Sequence, residues 1–137
     1  MTIHQAEQSY QLIVHVKKDI FITVGKLGRF EFLAGFYIYT GSAKRGVQSR
    51  VARHLAAEKK LHWHIDYLLA HKDAHIAETR VSFEPECLLN QSTAGVIYPK
   101  GFGTSDCRAH CGGHLKYAGR EQPWSSAIDV DFDKTIC

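Results

Sequence analysis

Tyr39-Thr40-Gly41-Ser42 is followed within a dozen residues by Lys44, Arg45, Arg50, Arg53 and His54. These types suit work on a phosphate. A guanidinium is planar, permanently charged and matches phosphate oxygens with paired donors. An imidazole titrates near neutrality and can move protons. A tyrosine hydroxyl, with a free pKa near ~10, holds its proton until a base or a cation helps remove it. Gly41 has no Cβ, so backbone or substrate can come close. Lys59 and Lys60 extend the basic run, opposed only by Glu58. Such a cluster fits a phosphate backbone, with Gly41, Ser42, Lys44, Arg45 and Arg53 as its contacts. Taken singly, each residue has a structural alternative. Tyr39 reads as a core aromatic, Arg50 as a surface ion-pair residue and His54 as a satisfied helix histidine.

These residues must be held by a strand and the helix after it. Phe36 to Tyr39 reads as a short strand after Gly35, with Tyr37 and Tyr39 on one face. A helix is expected from about Arg45 to Lys59. Val47, Arg50, Val51, His54 and Leu55 recur on it at helical spacing, which places two polar residues on its inward stripe. Upstream, Tyr10 to Val16 and Ile20 to Val24 read as strands, and Phe30 to Leu33 returns from the Gly25–Gly28 turn as a hairpin. Downstream, the pattern predicts a helix from Trp63 to His71 and a strand from Ile76 to Phe83. A third helix opens at Pro85 and runs to about Thr93. A Gly-, Ser- and Cys-rich loop leads to a short strand at Leu115 to Tyr117, and the tail offers one more near Ile128 to Phe132. The expectation is an α+β fold: one domain over residues 1–137, its antiparallel sheet packed with about three helices.

Composition sets broad limits. Hydrophobic residues are 45% and charged residues 23% of 137, as in ordinary globular proteins. No apolar run approaches a membrane span and the N-terminus lacks a signal pattern, so a cytoplasmic protein without membrane contact is expected. Seventeen Lys and Arg against 14 Asp and Glu give a formal charge of +3, which permits nucleic-acid binding without demanding it. Cys87, Cys107, Cys111 and Cys137 are expected to be reduced. Cys107, His110, Cys111 and His114 are zinc-compatible types. One short loop rarely closes a tetrahedron, however, so a structural zinc on Cys107, Cys111 and His114 is the minor reading and a packed loop the major one.

Tyr39-Thr40-Gly41-Ser42-Ala43-Lys44, then Arg50, then His54, resembles the second half of the GIY-YIG nuclease signature. Lys60-Leu61-His62-Trp63-His64-Ile65-Asp66-Tyr67 and Phe102-Gly103-Thr104-Ser105-Asp106-Cys107 are similar to the Uri-type branch of that superfamily. The resemblance implies a three-stranded antiparallel core sheet with flanking helices, here carrying an extra N-terminal hairpin. It also implies DNA cleavage with one divalent cation, Mg²⁺ or Mn²⁺. The family's first triad reads Gln8-Ser9-Tyr10 here and keeps only the tyrosine. Gly35-Phe36-Tyr37 matches the letters better but shares a strand with Tyr39, so Tyr10 takes the role and Tyr37 is the alternative. The family's metal ligand, a Glu near the start of a later helix, corresponds to Glu86, with Glu84 and Glu78 as weaker candidates. By this resemblance Tyr10, Tyr39, Arg50, His54, His62 and Glu86 carry the chemistry, and His64 and Asp66 support it. Glu86 also has a structural alternative, because a first-turn carboxylate is favoured by the helix dipole. A second function class stays open: a nucleic-acid-binding module on the same fold, without catalysis.

Overall fold

A computed structural model describes residues 8–43, 46–56, 60–104 and 112–121. In chain order its elements are β1 (Ser9–Val16), β2 (Ile20–Val24), β3 (Gly28–Phe32), β4 (Gly35–Ser42), α1 (Val47–Leu55), α2 (His64–Leu69), β5 (Ala74–Ser82), α3 (Glu86–Ser92), β6 (Val96–Ile97) and β7 (Leu115–Gly119). Among the described residues the fold is α+β, with an antiparallel sheet and three helices.

Strand alternation decides what β1 presents to each side. Tyr10, Leu12, Val14 and Val16 enter the main core, whereas Ile13 joins Phe36 and Ile38 on the other face. β1 pairs antiparallel with β4, setting Tyr10 opposite Gly41, Leu12 opposite Tyr39 and Val14 opposite Tyr37. The main core also takes Phe32, Val47, Val51, Ile65, Leu68, Phe102 and Leu115. Each such side chain, fully buried, stabilises the fold by roughly 1.5–3 kcal/mol. The sequence FxF of β3 and the VxxxV spacing of α1 thus serve one core.

The sheet has five strands, in the order β5-β1-β4-β7-β6, rather than the three expected. β7 lies along the edge of β4 and β6 along β7, while β5 takes the far edge of β1. These additions leave neither tyrosine-bearing strand as an open edge. The hairpin β2–β3 forms its own two-stranded sheet.

Several boundaries move. β4 starts at Gly35 and continues through Thr40-Gly41 to Ser42, because its pairing with β1 persists to Ser9. α1 stops at Leu55, where Ala56 turns extended, and residues 57–59 of the expected helix lie outside the described residues. Leu55 itself is 57% exposed, and His54 takes its place in the inward stripe beside Val47 and Val51. The two-residue β6 carries too short a pattern to be read from sequence. The expected strand at Ile128 to Phe132 lies outside the described residues. Among the described residues, no helix is long and apolar enough to cross a membrane.

Candidate functional site

Tyr10, on β1, and Tyr39, on β4, come together because their strands are neighbours in the middle of the sheet. Their ring centres are 6.3 Å apart. The Tyr10 hydroxyl lies 2.7 Å from Nε2 of His54, which α1 lowers onto the sheet. Both residues are buried. The close packing depends on Gly41, directly across from Tyr10. A Cβ there would overlap the Tyr10 ring and hydroxyl. Gly103, with φ of 74°, does the same for Tyr39: a Cβ would sit 3.1 Å from its ring.

Burial pushes the Tyr10 hydroxyl up to about 12. The Arg50 charge and an Arg50 hydrogen bond pull it down, and the charges of Glu86 and Asp66 push it up. Burial also holds Tyr39 well above its ordinary value, assisted by Tyr10, Glu86 and Asp66 and opposed by Arg50. The same charged residues therefore act on both tyrosines. With burial dominant, Tyr10 is a neutral phenol whose hydroxyl is in hydrogen-bond contact with the His54 ring.

Arg50 is half-buried, and its Nη1 donates to the Ser42 carbonyl at 3.0 Å. Its guanidinium carbon lies 4.5 Å from the centre of the Trp63 ring, and that of Arg53 lies 4.4 Å from the same centre. Arg53 also forms a two-pronged pair with Asp66, at 3.1 and 3.2 Å, and donates to the Lys60 carbonyl. Asp66 is fully buried. Its Oδ2 accepts the backbone N–H groups of His62 and Trp63, each at 2.9 Å. Burial pushes this carboxyl up, but the Arg53 bond and charge and the two N–H groups outweigh it and hold it below its usual value. His54 Nδ1 is 3.9 Å from Asp66 Oδ1.

Glu86 occupies the first turn of α3 and His114 precedes β7. Their Oε2 and Nδ1 are 2.6 Å apart, with the His114 side chain buried and that of Glu86 14% exposed. His114 Nε2 lies 4.0 Å from the Cys87 sulfur. At the other end of α3, Lys116 Nζ donates to the carbonyls of Asn90 and Thr93, both at 2.6 Å. Gln11, on the sheet face away from Tyr10, donates to Thr93 Oγ1 at 2.7 Å.

The structure thus gathers Tyr10, Tyr39, Arg50, His54 and the Glu86 charge, with Gly41 and the Ser42 carbonyl beside them. Arg53 is engaged by Asp66. His62 is exposed and lays its ring 4.7 Å from that of Trp63, contributing its backbone N–H to the buried network. His64 Nδ1 accepts the Gly103 N–H at 2.9 Å, and burial lowers its pKa. Tyr37 donates its hydroxyl to the Leu33 carbonyl at 2.7 Å, and burial holds its pKa far above the ordinary value. Lys44, Arg45, Cys107 and Cys111 lie outside the described residues, so only His114 of the zinc set is described. Among the described residues no group of three or more His, Cys, Asp or Glu could hold a metal ion. Trp63 is not singled out by the sequence, where it stands between the two titratable residues His62 and His64. The available signal was an aromatic residue close in the chain to two arginines three apart on one helix.

A tyrosine–histidine–arginine cluster at one end of a five-stranded antiparallel sheet, with the charge of Glu86 on the third helix acting on both tyrosines, defines the class of α+β domain this is. The chain belongs to the family described as domain of unknown function DUF123, whose model matches residues 9–136. No curated protein and no solved structure matches it.

Proposed function

We propose that this domain is a divalent-metal-dependent endonuclease that hydrolyses phosphodiester bonds in DNA, of the GIY-YIG superfamily and its Uri-type branch, serving DNA processing or repair. The observation that carries the reading is the 2.7 Å contact between Tyr10 and His54 with Arg50 acting on the same hydroxyl. Tyr10 can take a proton from an attacking water as its own proton passes to His54 Nε2, so no free phenolate is needed. The water oxygen bonds to phosphorus, the bond to the leaving oxygen breaks, and that oxygen is protonated by solvent. Arg50 balances the charge that grows on the phosphate oxygens. Tyr39 orients the water or phosphate from the neighbouring strand.

Glu86 is the residue that would hold Mg²⁺ or Mn²⁺. A single carboxylate suits a hard cation that keeps most of its waters, and a histidine bonded to the other side of a ligating carboxylate is a common support. When bound, such a cation supplies charge stabilisation at the phosphate.

The test is nicking of single-stranded, duplex and branched DNA with Mg²⁺ or Mn²⁺. Arg50→Ala and Glu86→Ala are expected to lower the rate by about 10²–10³-fold each. Undiminished cleavage in both variants overturns the assignment. The engagement of Glu86 by His114 favours a second reading, a nucleic-acid-binding module without catalysis. Binding that weakens steeply with salt, without cleavage under either metal, would establish that reading instead.

A further inference from the structure

Arg50 has to point one way to act on Tyr10, and an arginine side chain has many rotamers. One restraint is the bond from its Nη1 to the Ser42 carbonyl. The second restraint is the Trp63 ring, 4.5 Å from the guanidinium carbon. Cations over an indole are held by the ring's negative face, and the hold strengthens when water is kept away. Trp63 is itself fixed. Its backbone N–H is bonded to buried Asp66, which Arg53 grips with both prongs. Arg53 also lies over the same ring. The start of α2 is thereby tied to α1, with Asp66 reaching back to the residue before the helix as the acidic half of a capping box does.

We propose that Trp63 is a positioning residue for Arg50, its indole fixing the guanidinium beside Tyr10 while Asp66 and Arg53 fix the indole. The proposal rests on the endonuclease reading for its catalytic consequence, but not for its geometry. The motif His62-Trp63-His64-Ile65-Asp66 then works chiefly through Trp63 and Asp66 rather than through its histidines.

The test compares wild type with Trp63→Phe, with Trp63→Leu, and with a ring-fluorinated tryptophan at 63 that keeps the shape and weakens the negative face. NMR reads the proximity of Arg50 side-chain protons to the Tyr10 ring, and cleavage gives kcat and KM. The proximity signal is expected in wild type and Trp63→Phe, reduced with fluorotryptophan and lost in Trp63→Leu. kcat is expected to fall in the same order, by about 2- to 30-fold in Trp63→Leu, with KM changed less. A wild-type proximity signal in both Trp63→Leu and the fluorinated protein overturns the proposal. If Trp63→Leu does not fold, the fluorinated protein decides. Absence of cleavage by wild type sinks the endonuclease reading, while the NMR comparison still decides the role of Trp63.

Discussion

Gly41→Ala tests the packing on which the tyrosine pair depends. The Gly41 backbone lies outside the left-handed region, so alanine meets no conformational penalty there. On that ground the change should stabilise, by about 0.4–1 kcal/mol, through a stiffer unfolded chain. The folded state reverses the sign. The new Cβ would overlap the Tyr10 ring and hydroxyl. Tyr10 is only 1% exposed, so its ring cannot swing out into solvent without leaving the core. Overpacking of this kind costs about 1–3 kcal/mol. Displacing the hydroxyl from His54 costs a further ~0.5–1.5 kcal/mol. The net expectation is a loss of about 1–3 kcal/mol, or very roughly 4–12 °C in Tm for a chain of this size. Urea unfolding followed by circular dichroism measures it. The companion Tyr10→Leu removes the obstructing ring, so the double variant should be more stable than the two single losses imply, by about 1 kcal/mol. A Gly41→Ala protein as stable as wild type would refute the reasoning, as would strict additivity with Tyr10→Leu.

Three further outcomes follow from the charge arrangement. The Tyr10 pKa is raised on folding, so its contribution is intact below pH 10 and is lost as pH rises toward 12. A rise from 10.0 to about 12 corresponds to about 3 kcal/mol. The unfolding free energy measured from pH 8 to 12 should therefore fall more steeply for wild type than for Tyr10→Phe. The Asp66 pKa is lowered on folding, so its contribution is present above the unfolded value of 3.8 and is lost as pH falls through the folded value. Asp66→Asn should cost about 1.5–3 kcal/mol at pH 7, and denaturant titrations should show that gap narrowing below pH 4. Lys116→Met removes a donor from the Asn90 carbonyl, which keeps the Thr93 N–H, and from the Thr93 carbonyl, and equilibrium unfolding should register a loss of about 1–3 kcal/mol.

Periodicity made much of this fold legible. The alternation of Leu12, Val14 and Val16 marks β1, and Pro85 marks the start of α3, because local sequence decides both. The inward tilt of Arg50 and His54 was visible in the spacing of α1. What sequence does not carry is pairing between distant segments. β7 attaches at the β4 edge through contacts more than 70 residues away from it in the chain, and β6 joins the sheet along β7. The exposed Leu55 shows the same limit from the other side. Its spacing fits the stripe, but α1 ends there and leaves it without a surface to cover. At the site, the Tyr10–His54 contact requires both the β1–β4 register and the seating of α1. The partnerships of Glu86 with His114 and of Arg53 with Asp66 depend on segments that meet only after folding.

His114 and Lys116 stand two residues apart and grip opposite ends of α3, one through Glu86 and the other through Asn90 and Thr93. A strand shifted by one residue would offer Leu115 and Tyr117 instead, and both grips would fail together. The location of the Glu86 carboxylate is therefore a readout of strand register. A misregistered β7 would lose the His114 hold on this carboxylate, so the placing of Glu86 is tied to the correct pairing of β7.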